Sequence, residues 1–467
     1  MSKLRWTLAL ALAALAAGCA YIPSIGPRYK RPVVESAPAY KELGDWKPTA
    51  PGDALARGPW WEIFNDEALN GLEKQINISN QNVLSAAAAV EQSRALLHEA
   101  EASFWPSITA TGGRDRSVVA SNPPKTVNSA GVGANWSIDI WGEIRRSVEA
   151  SKASWQASEA ALAAAQLSAQ AELATDYFAL RAQDQLQTLL NDTVAAQEQS
   201  LKITESRYKF GVAARADVVT AQTQLLGSQS QQVSAGIQRA LIEHAIAVLV
   251  GQQPAAFALA SAPMRTDIPT VPPGLPSELL ERRPDVAQAE RRVASANAEI
   301  GVAMTAFFPS LTITGSDDYT GGTLSRLFTV PNRVWGFGPQ LAQSLFAGGL
   351  HRAQLAAARA SYQMSVDDYR QTVLAGFQQV EDELATLRIL EKQAVIEDQA
   401  VAAAREAEQL TLNQYKAGTV PYSSVIAAQT TTLQARETAL NVLTSRFNAS
   451  IALIEALGGG WDAQQLK

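Results

Sequence analysis

Three features of the amino-acid sequence predict an α+β protein built by internal duplication: a copied turn, a pair of strand signals in each half, and helix signals of unusual length. The turn Arg207-Tyr208-Lys209-Phe210-Gly211, followed by Val218-Val219-Thr220-Ala221-Gln222, returns as Gln414-Tyr415-Lys416-Ala417-Gly418, followed by Val425-Ile426-Ala427-Ala428-Gln429. Tyr208 and Tyr415 lie 207 apart, as do Gln222 and Gln429. An earlier pair, Phe104-Trp105-Pro106-Ser107 and Phe307-Phe308-Pro309-Ser310, repeats 203 apart, so the order survives a small insertion. Collinear matches across two halves point to a long structural unit used twice.

Composition suits closely packed helices. Charged residues are 18% of the 467, below the roughly 25% of ordinary soluble domains, and 47% are hydrophobic. A formal charge of −6 supplies no basic footprint for nucleic acid. Lys3 and Arg5 precede the apolar run Trp6 to Ala17, which is too short for a bilayer-spanning helix and right for a secretory signal. Leu15-Ala16-Ala17-Gly18-Cys19 has the form of a lipoprotein signal, with small residues before the only cysteine. Lipidation of Cys19 is therefore expected; the plainer alternative is an ordinary signal followed by an incidental cysteine. Ala20 is not the aspartate that retains many such lipoproteins at the inner membrane, which favours outer-membrane delivery.

The elements follow in order. Residues 1–18 form the signal peptide and 19–60 a proline-rich tether, carrying Pro23, Pro27, Pro32, Pro38, Pro48, Pro51 and Pro59. The first repeat covers 61–250: a helix from about Asn65 to Ser103, strands at 105–118 and 130–141, a loop at 112–128 overlapping the first strand's end, and a long helical hairpin. Ala134, Trp136, Ile138 and Ile140 alternate with Asn135, Ser137 and Asp139 in the second strand. A proline-rich linker occupies 251–281. The second repeat covers 282–458, with strands at 308–319 and 333–346, and 459–467 form a tail. No proline interrupts Pro124 to Pro254 or Pro339 to Pro421, and Val366, Tyr369, Val373, Phe377, Val380, Leu384 and Leu387 step by threes and fours. A helix from Glu143 to Tyr208 would span roughly 100 Å at 1.5 Å per residue and must project.

Four strands cannot close a membrane barrel alone. In lipid every backbone polar group needs a partner, and single-chain bacterial barrels begin at about eight strands. Three chains would supply twelve, so membrane insertion implies a homotrimer; the alternative is a soluble four-stranded sheet on a helical body.

The sequence resembles the TolC-like outer-membrane efflux channels, in their lipoprotein subfamily serving resistance-nodulation-division pumps. The resemblance rests on Cys19, Pro59-Trp60-Trp61, Leu280-Glu281-Arg282-Arg283-Pro284-Asp285-Val286, Ala306-Phe307-Phe308-Pro309-Ser310 and the Tyr-Lys-x-Gly turns at Tyr208 and Tyr415. It implies a trimeric 12-stranded outer-membrane barrel, four strands per chain, continued by a periplasmic helical coiled-coil barrel that narrows at its tip. It also implies a passive conduit for drugs or other small molecules, supplied by a periplasmic adaptor (membrane fusion protein) and an inner-membrane pump. Protein secretion through a related channel, or a lipid-anchored coiled-coil scaffold, are the alternatives.

Tip and gate candidates are Tyr208, Gly211, Asp217, Tyr415, Gly418 and Ser424. Their plain role is helix termination: glycine in the left-handed conformation at Gly211 and Gly418, with Arg207, Tyr208, Tyr415 and Lys416 completing the last turns. Many relatives place aspartates at positions that correspond here to Ser424 and Ala427, and some an arginine at Val420. Any tip lock is therefore expected to use Asp217, Tyr208 and Tyr415. Arg283-Pro284-Asp285 reads as a helix start, with proline in the first turn and aspartate against the helix N-terminus. No enzyme constellation is found: His98, His244 and His351 are scattered, and no phosphate loop or metalloprotease motif occurs. Four methionines, Met1, Met264, Met304 and Met364, offer no soft-metal relay, which favours organic solutes as cargo. No metal or cofactor is expected beyond a covalent lipid on Cys19.

Overall fold

A computed structural model of the chain describes residues 24–34, 37–43, 58–118, 123–271, 279–463 and 466. Residues 1–18 and Cys19 lie outside them. Four strands and seven helices longer than one turn are described: α1 (Glu67–Ser79), α2 (Gln81–Ala102), β1 (Ser107–Ser117), β2 (Lys125–Ile138), α3 (Glu143–Lys209), α4 (Arg215–Leu249), α5 (Pro284–Thr305), β3 (Ser310–Gly321), β4 (Arg333–Ala342), α6 (Leu350–Ala417) and α7 (Tyr422–Ala456). The duplication is explicit in the lengths. Helices α3 and α6 have 67 and 68 residues, and α4 and α7 have 35 each. Among the described residues no helix is long and apolar enough to cross a membrane.

The chain forms two compact units. The first takes its described residues from 1–34, 89–159 and 288–371, the second from 35–88, 160–287 and 372–467.

In the first unit the two strand pairs merge into one antiparallel sheet of order β1-β2-β3-β4. The expected bounds shift accordingly. The first hairpin runs 107–117 and 125–138 rather than 105–118 and 130–141, so the loop expected at 112–128 is largely strand. Residues that read as loop join the ladder because β2 pairs on both sides, Asn128 with Arg114 and with Gly321. Gly131 lies between Thr111 and Asp318, and a larger residue there would have to displace the Asp318 carboxylate. Residues 139–141 leave the strand because Asp139 accepts the backbone N–H groups of Ile144 (3.1 Å) and Arg145 (3.0 Å) at the start of α3. The second hairpin runs 310–321 and 333–342, not 308–319 and 333–346. Past Ala342 the chain turns away, with the Gln343 amide donating to the Phe307 carbonyl at 3.0 Å.

The described part of the proline-rich segment is bonded to this unit. Ile25 N–H donates to the Trp141 carbonyl (2.9 Å), and Arg146 donates to the carbonyls of Ile25 (3.1 Å) and Gly26 (3.2 Å). Asn297 donates to the Pro27 carbonyl at 3.1 Å, Tyr29 donates to Glu290, and Arg31 donates to the Tyr369 hydroxyl at 3.2 Å.

The second unit holds the larger apolar core. Pro59-Trp60-Trp61 opens a short 3₁₀ turn, Trp60–Phe64, whose Trp60, Trp61 and Phe64 are all buried. Phe178 and Phe447 stack with centroids 4.3 Å apart, and Phe64 packs on both. Each such aromatic contributes roughly 1.5–3 kcal/mol by burial. The expected seam is present, with Leu173, Leu180, Val373, Val380 and Leu384 fully buried. The helix expected from 65 to 103 is broken at Asn80. Its side chain accepts from Asn82 N–H (3.0 Å) and Val83 N–H (3.1 Å), capping α2, and donates to the Leu249 carbonyl (2.8 Å). Asparagine is a favoured N-cap, so a local signal for the break was present, and the bond to a partner 169 residues away fixes it. Arg283 does more than precede a helix. Its guanidinium forks onto Asp285 (2.6 and 3.0 Å) and also donates to Gln379 (2.8 Å) and the Ala456 carbonyl (3.0 Å).

Candidate functional site

The paired turns at the α3–α4 and α6–α7 junctions fold in the same way because their sequences are copies. In the first, Gly211 has φ 73°, its N–H donates to the Tyr208 carbonyl (2.9 Å), and Val212 N–H reaches the Arg207 carbonyl (2.8 Å). In the second, Gly418 has φ 81°, with Gly418 N–H to the Tyr415 carbonyl (2.9 Å) and Thr419 N–H to the Gln414 carbonyl (3.0 Å). This double closure satisfies the last carbonyls of a helix and requires a left-handed residue, which glycine adopts without penalty.

Around the turns the copies diverge. Arg207 reaches across to the other copy: its Nη1 donates to the carbonyls of Tyr415 (2.6 Å) and Lys416 (3.0 Å), and its guanidinium lies 4.7 Å from the Tyr415 ring centre. It thereby caps the C-terminus of α6 with a cation. The position equivalent to Arg207 in the second copy is Gln414, so the link runs in one direction only. Tyr415 is buried, and its hydroxyl donates to Thr204 at 3.1 Å. It packs with Tyr422, Val425 and Ala221 in a small cluster of its own. Burial, reinforced by Tyr415, pushes the Tyr422 phenol up to about 12.

The sequence candidates separate into three kinds. Tyr415 is an internal strut. Tyr208 is exposed, with the Arg215 guanidinium 5.8 Å from its ring centre. Asp217 is partly buried and occupied: its carboxylate accepts the Ala214 N–H (3.2 Å) at the start of α4. Ser424 stands at the matching position of α7 with its N–H bonded to the Pro421 carbonyl (3.1 Å). Tyr208, Asp217 and Tyr415 do not converge on one another by any hydrogen bond or ring contact among the described residues. Sequence reasoning placed Arg207 in its own helix end and missed its role as the link between copies. It also passed over Phe210 and Val212, which present 81% and 63% of their surface on the first turn. Large apolar residues beside a glycine turn were the available signal.

The sheet in the first unit has two chemically distinct faces, read from its register. One carries Ile108, Ala134, Gly315 and Phe337 in one row, Ala110, Val132, Asp317 and Trp335 in the next, and Ile138, Leu311 and Leu341 nearer the helices. The other carries Ser107, Asn135, Thr314 and Gly338, then Thr109, Gly133, Ser316 and Gly336. Trp335, Phe337 and Leu341 are each about 70% exposed in a single chain.

Comparison with known proteins agrees with this arrangement. The family model described as outer membrane efflux protein matches residues 72–252 and 275–459, one stretch in each repeat. The probable efflux pump outer membrane protein TtgC of Pseudomonas putida is 29% identical over 98% of this chain and 96% of its own length. The pyoverdine export outer membrane protein OpmQ of Pseudomonas aeruginosa is 30% identical over 90% of this chain and 91% of its own. The solved outer-membrane channel OprN superposes with a TM-score of 0.85 at 27% identity, covering 94% of this chain and 99% of that one.

Proposed function

Because this chain belongs to the outer membrane efflux protein family, and so is an outer-membrane channel of an efflux system and not an enzyme, we propose that three copies close one 12-stranded barrel and pass small organic solutes outward. The two-faced sheet carries this reading. Its strands of 10 to 14 residues match the roughly 9–11 needed to cross a bilayer, and β1 and β4 are left as edges. Open edges are not tolerated in lipid, and pairing β4 of one chain with β1 of the next removes all of them. The apolar rows then meet lipid and the serine, threonine, asparagine and glycine rows line the conduit. Cys19 carries the lipid anchor, a periplasmic adaptor and an inner-membrane resistance-nodulation-division pump supply the solute, and the energy comes from that pump. Export of pyoverdine by OpmQ is in keeping with organic cargo.

At the tip, Arg207 holds the α6 end and so maintains the closed state. Purified trimers reconstituted in planar bilayers test both statements. Arg207→Ala loses two charge-assisted hydrogen bonds and should raise the conducting fraction by about tenfold or more. Silence of wild type and variant alike, in trimers shown to be inserted, refutes the channel; conduction unchanged by the substitution refutes the role of Arg207.

A further inference from the structure

We propose that the outward face of the sheet ends, at the side of its hairpin turns, in an arginine rim that binds the phosphorylated headgroups of outer-leaflet lipid. The inference rests on the barrel reading above. Strand register puts Arg114 opposite Asn128 and Arg116 opposite Thr126, on the same face as Ile108, Val132, Trp335 and Phe337. Arg333, opposite Tyr319, shares that face. Asp115, between the two β1 arginines, points to the opposite face, as does Lys125, its neighbour across the hairpin opposite Ser117. The turn end therefore separates its charges: cations outward with the apolar rows, a balanced pair inward.

Depth along the strands supports the assignment. From Ile138 to Asn128, the partner of Arg114, β2 runs ten residues, about 34 Å at 3.4 Å per residue and about 26 Å of depth at a tilt of about 40°, close to the roughly 25 Å apolar band of an outer-membrane barrel. Arg114 lies four residues beyond Ala110, the partner of Val132, so roughly 13 Å further along the strand and at headgroup level. The turns lie at the opposite end of the strands from the helices, which makes this the extracellular rim. Arg333 is already neutralised by a two-pronged bond to Asp317, 2.7 Å in each arm. Arg114 and Arg116 are exposed and have no ionic partner among the described residues. Cations directed toward lipid without a counterion among the described residues call for one from the membrane, and the planar guanidinium fork fits phosphate oxygens in pairs. Barrel closure sets β1 beside β4 of the neighbouring chain and adds Arg333 to the same rim.

The test uses the full-length trimer in detergent with bisphosphorylated lipid A as probe, read by native mass spectrometry. Wild type should retain the lipid, and Arg114→Ala/Arg116→Ala should bind it about thirtyfold more weakly, from two basic side chains at a lipid surface. Dephosphorylated lipid A should bind both proteins equally weakly, and Arg114→Lys/Arg116→Lys should recover part of the affinity. Equal affinity of wild type and alanine variant overturns the proposal, as does equal retention of the two lipids by wild type. Displacement of the lipid by millimolar inorganic phosphate also overturns it, by showing a site for free anions. Conductance separates the two readings: inserted trimers that stay silent both as wild type and as Arg207→Ala break the barrel reading, whereas conducting trimers with unaltered lipid affinity break only this one. If the alanine pair fails to assemble, the glutamine pair is measured under the same criteria.

Discussion

Glu73→Gln should remove a pH dependence of stability that the wild type cannot avoid. Glu73 lies on the inner side of α1 with Leu69, Leu72 and Ile76, and none of its surface is exposed. Neither carboxylate oxygen has a hydrogen-bond partner among the described residues. Burial with no compensating donor disfavours the anion and pushes the group from 4.5 up to about 9. The folded protein therefore keeps this proton where the unfolded chain has released it. Stability from Glu73 is fully present below pH 4.5 and is lost as pH rises toward 9. At about 1.4 kcal/mol per pH unit, the loss by pH 7 is about 3 kcal/mol per chain, and by pH 9 about 6 kcal/mol. Glutamine keeps the shape and never ionises. Denaturant unfolding of wild type and Glu73→Gln at pH 5, 7 and 8.5 should give curves that separate steadily, the variant gaining relative to wild type as pH rises. Parallel pH dependences would refute the reasoning, because they would mean that Glu73 is hydrated or paired in the folded state.

Three further substitutions probe packing within the two units. Asp184 is buried, which by itself opposes ionisation, but hydrogen bonds from Arg239 (2.8 Å), Ala262 N–H (3.1 Å) and Arg181 (2.9 Å) outweigh burial and hold its carboxyl below the usual range. Asp184→Asn should cost about 3–5 kcal/mol at neutral pH by leaving the buried Arg181 guanidinium without its counterion, while Arg239 keeps Glu243 at 3.3 Å. That gap should close as pH falls below about 4 and through the depressed folded value, which unfolding at pH 7 and pH 3 measures. Gly26 has φ +112°, and a Cβ there would stand 2.6 Å from the Gly301 backbone. Gly26→Ala should loosen residues 24–34 from α3 and α5, seen as faster limited proteolysis there. Gly211→Ala, with φ +73° but nothing within 4 Å, should cost only the backbone strain of about 1–2 kcal/mol and leave that cleavage unchanged.

What the sequence disclosed was what its local chemistry decides. The glycine turns, the proline-started α5 and the buried seam through Val373, Val380 and Leu384 all follow from periodicity and terminator residues, and all are present. Alternation in β2 likewise anticipated the two-faced sheet. The failures share a physical cause, namely partners distant in sequence. Asn80 is held at its helix break by Leu249, and Asn128 belongs to a strand because Arg114 and Gly321 flank it. Arg207 links the two copies because Tyr415 presents its carbonyl 208 residues later. The Arg181–Asp184–Arg239 cluster left no motif, since only folding brings the α3 pair and α4 to the carbonyls of Leu259 and Ala260.

The missing acid at the second turn has a structural explanation in the same terms. Asp217 closes the start of α4 by accepting the N–H of Ala214, three residues earlier. The equivalent of Ala214 is Pro421, which has no N–H to offer, so a carboxylate at Ser424 would have nothing to accept in that role. Proline also presets the backbone at the helix start, doing by covalent geometry what Asp217 does by hydrogen bonding. The exchange of acid for serine is thus tied to the exchange of alanine for proline, and it leaves only the first copy with a carboxylate at this position. Arg207 follows the same division, since the first copy holds the cation that reaches the second copy's carbonyls while Gln414 returns nothing equivalent. Both charged groups lie on the α3–α4 hairpin, and the α6–α7 hairpin contributes the aromatic cluster of Tyr415 and Tyr422, in which Arg207 holds Tyr415. Duplication supplied two similar turns, and their divergence made one the clamp and the other the clamped element.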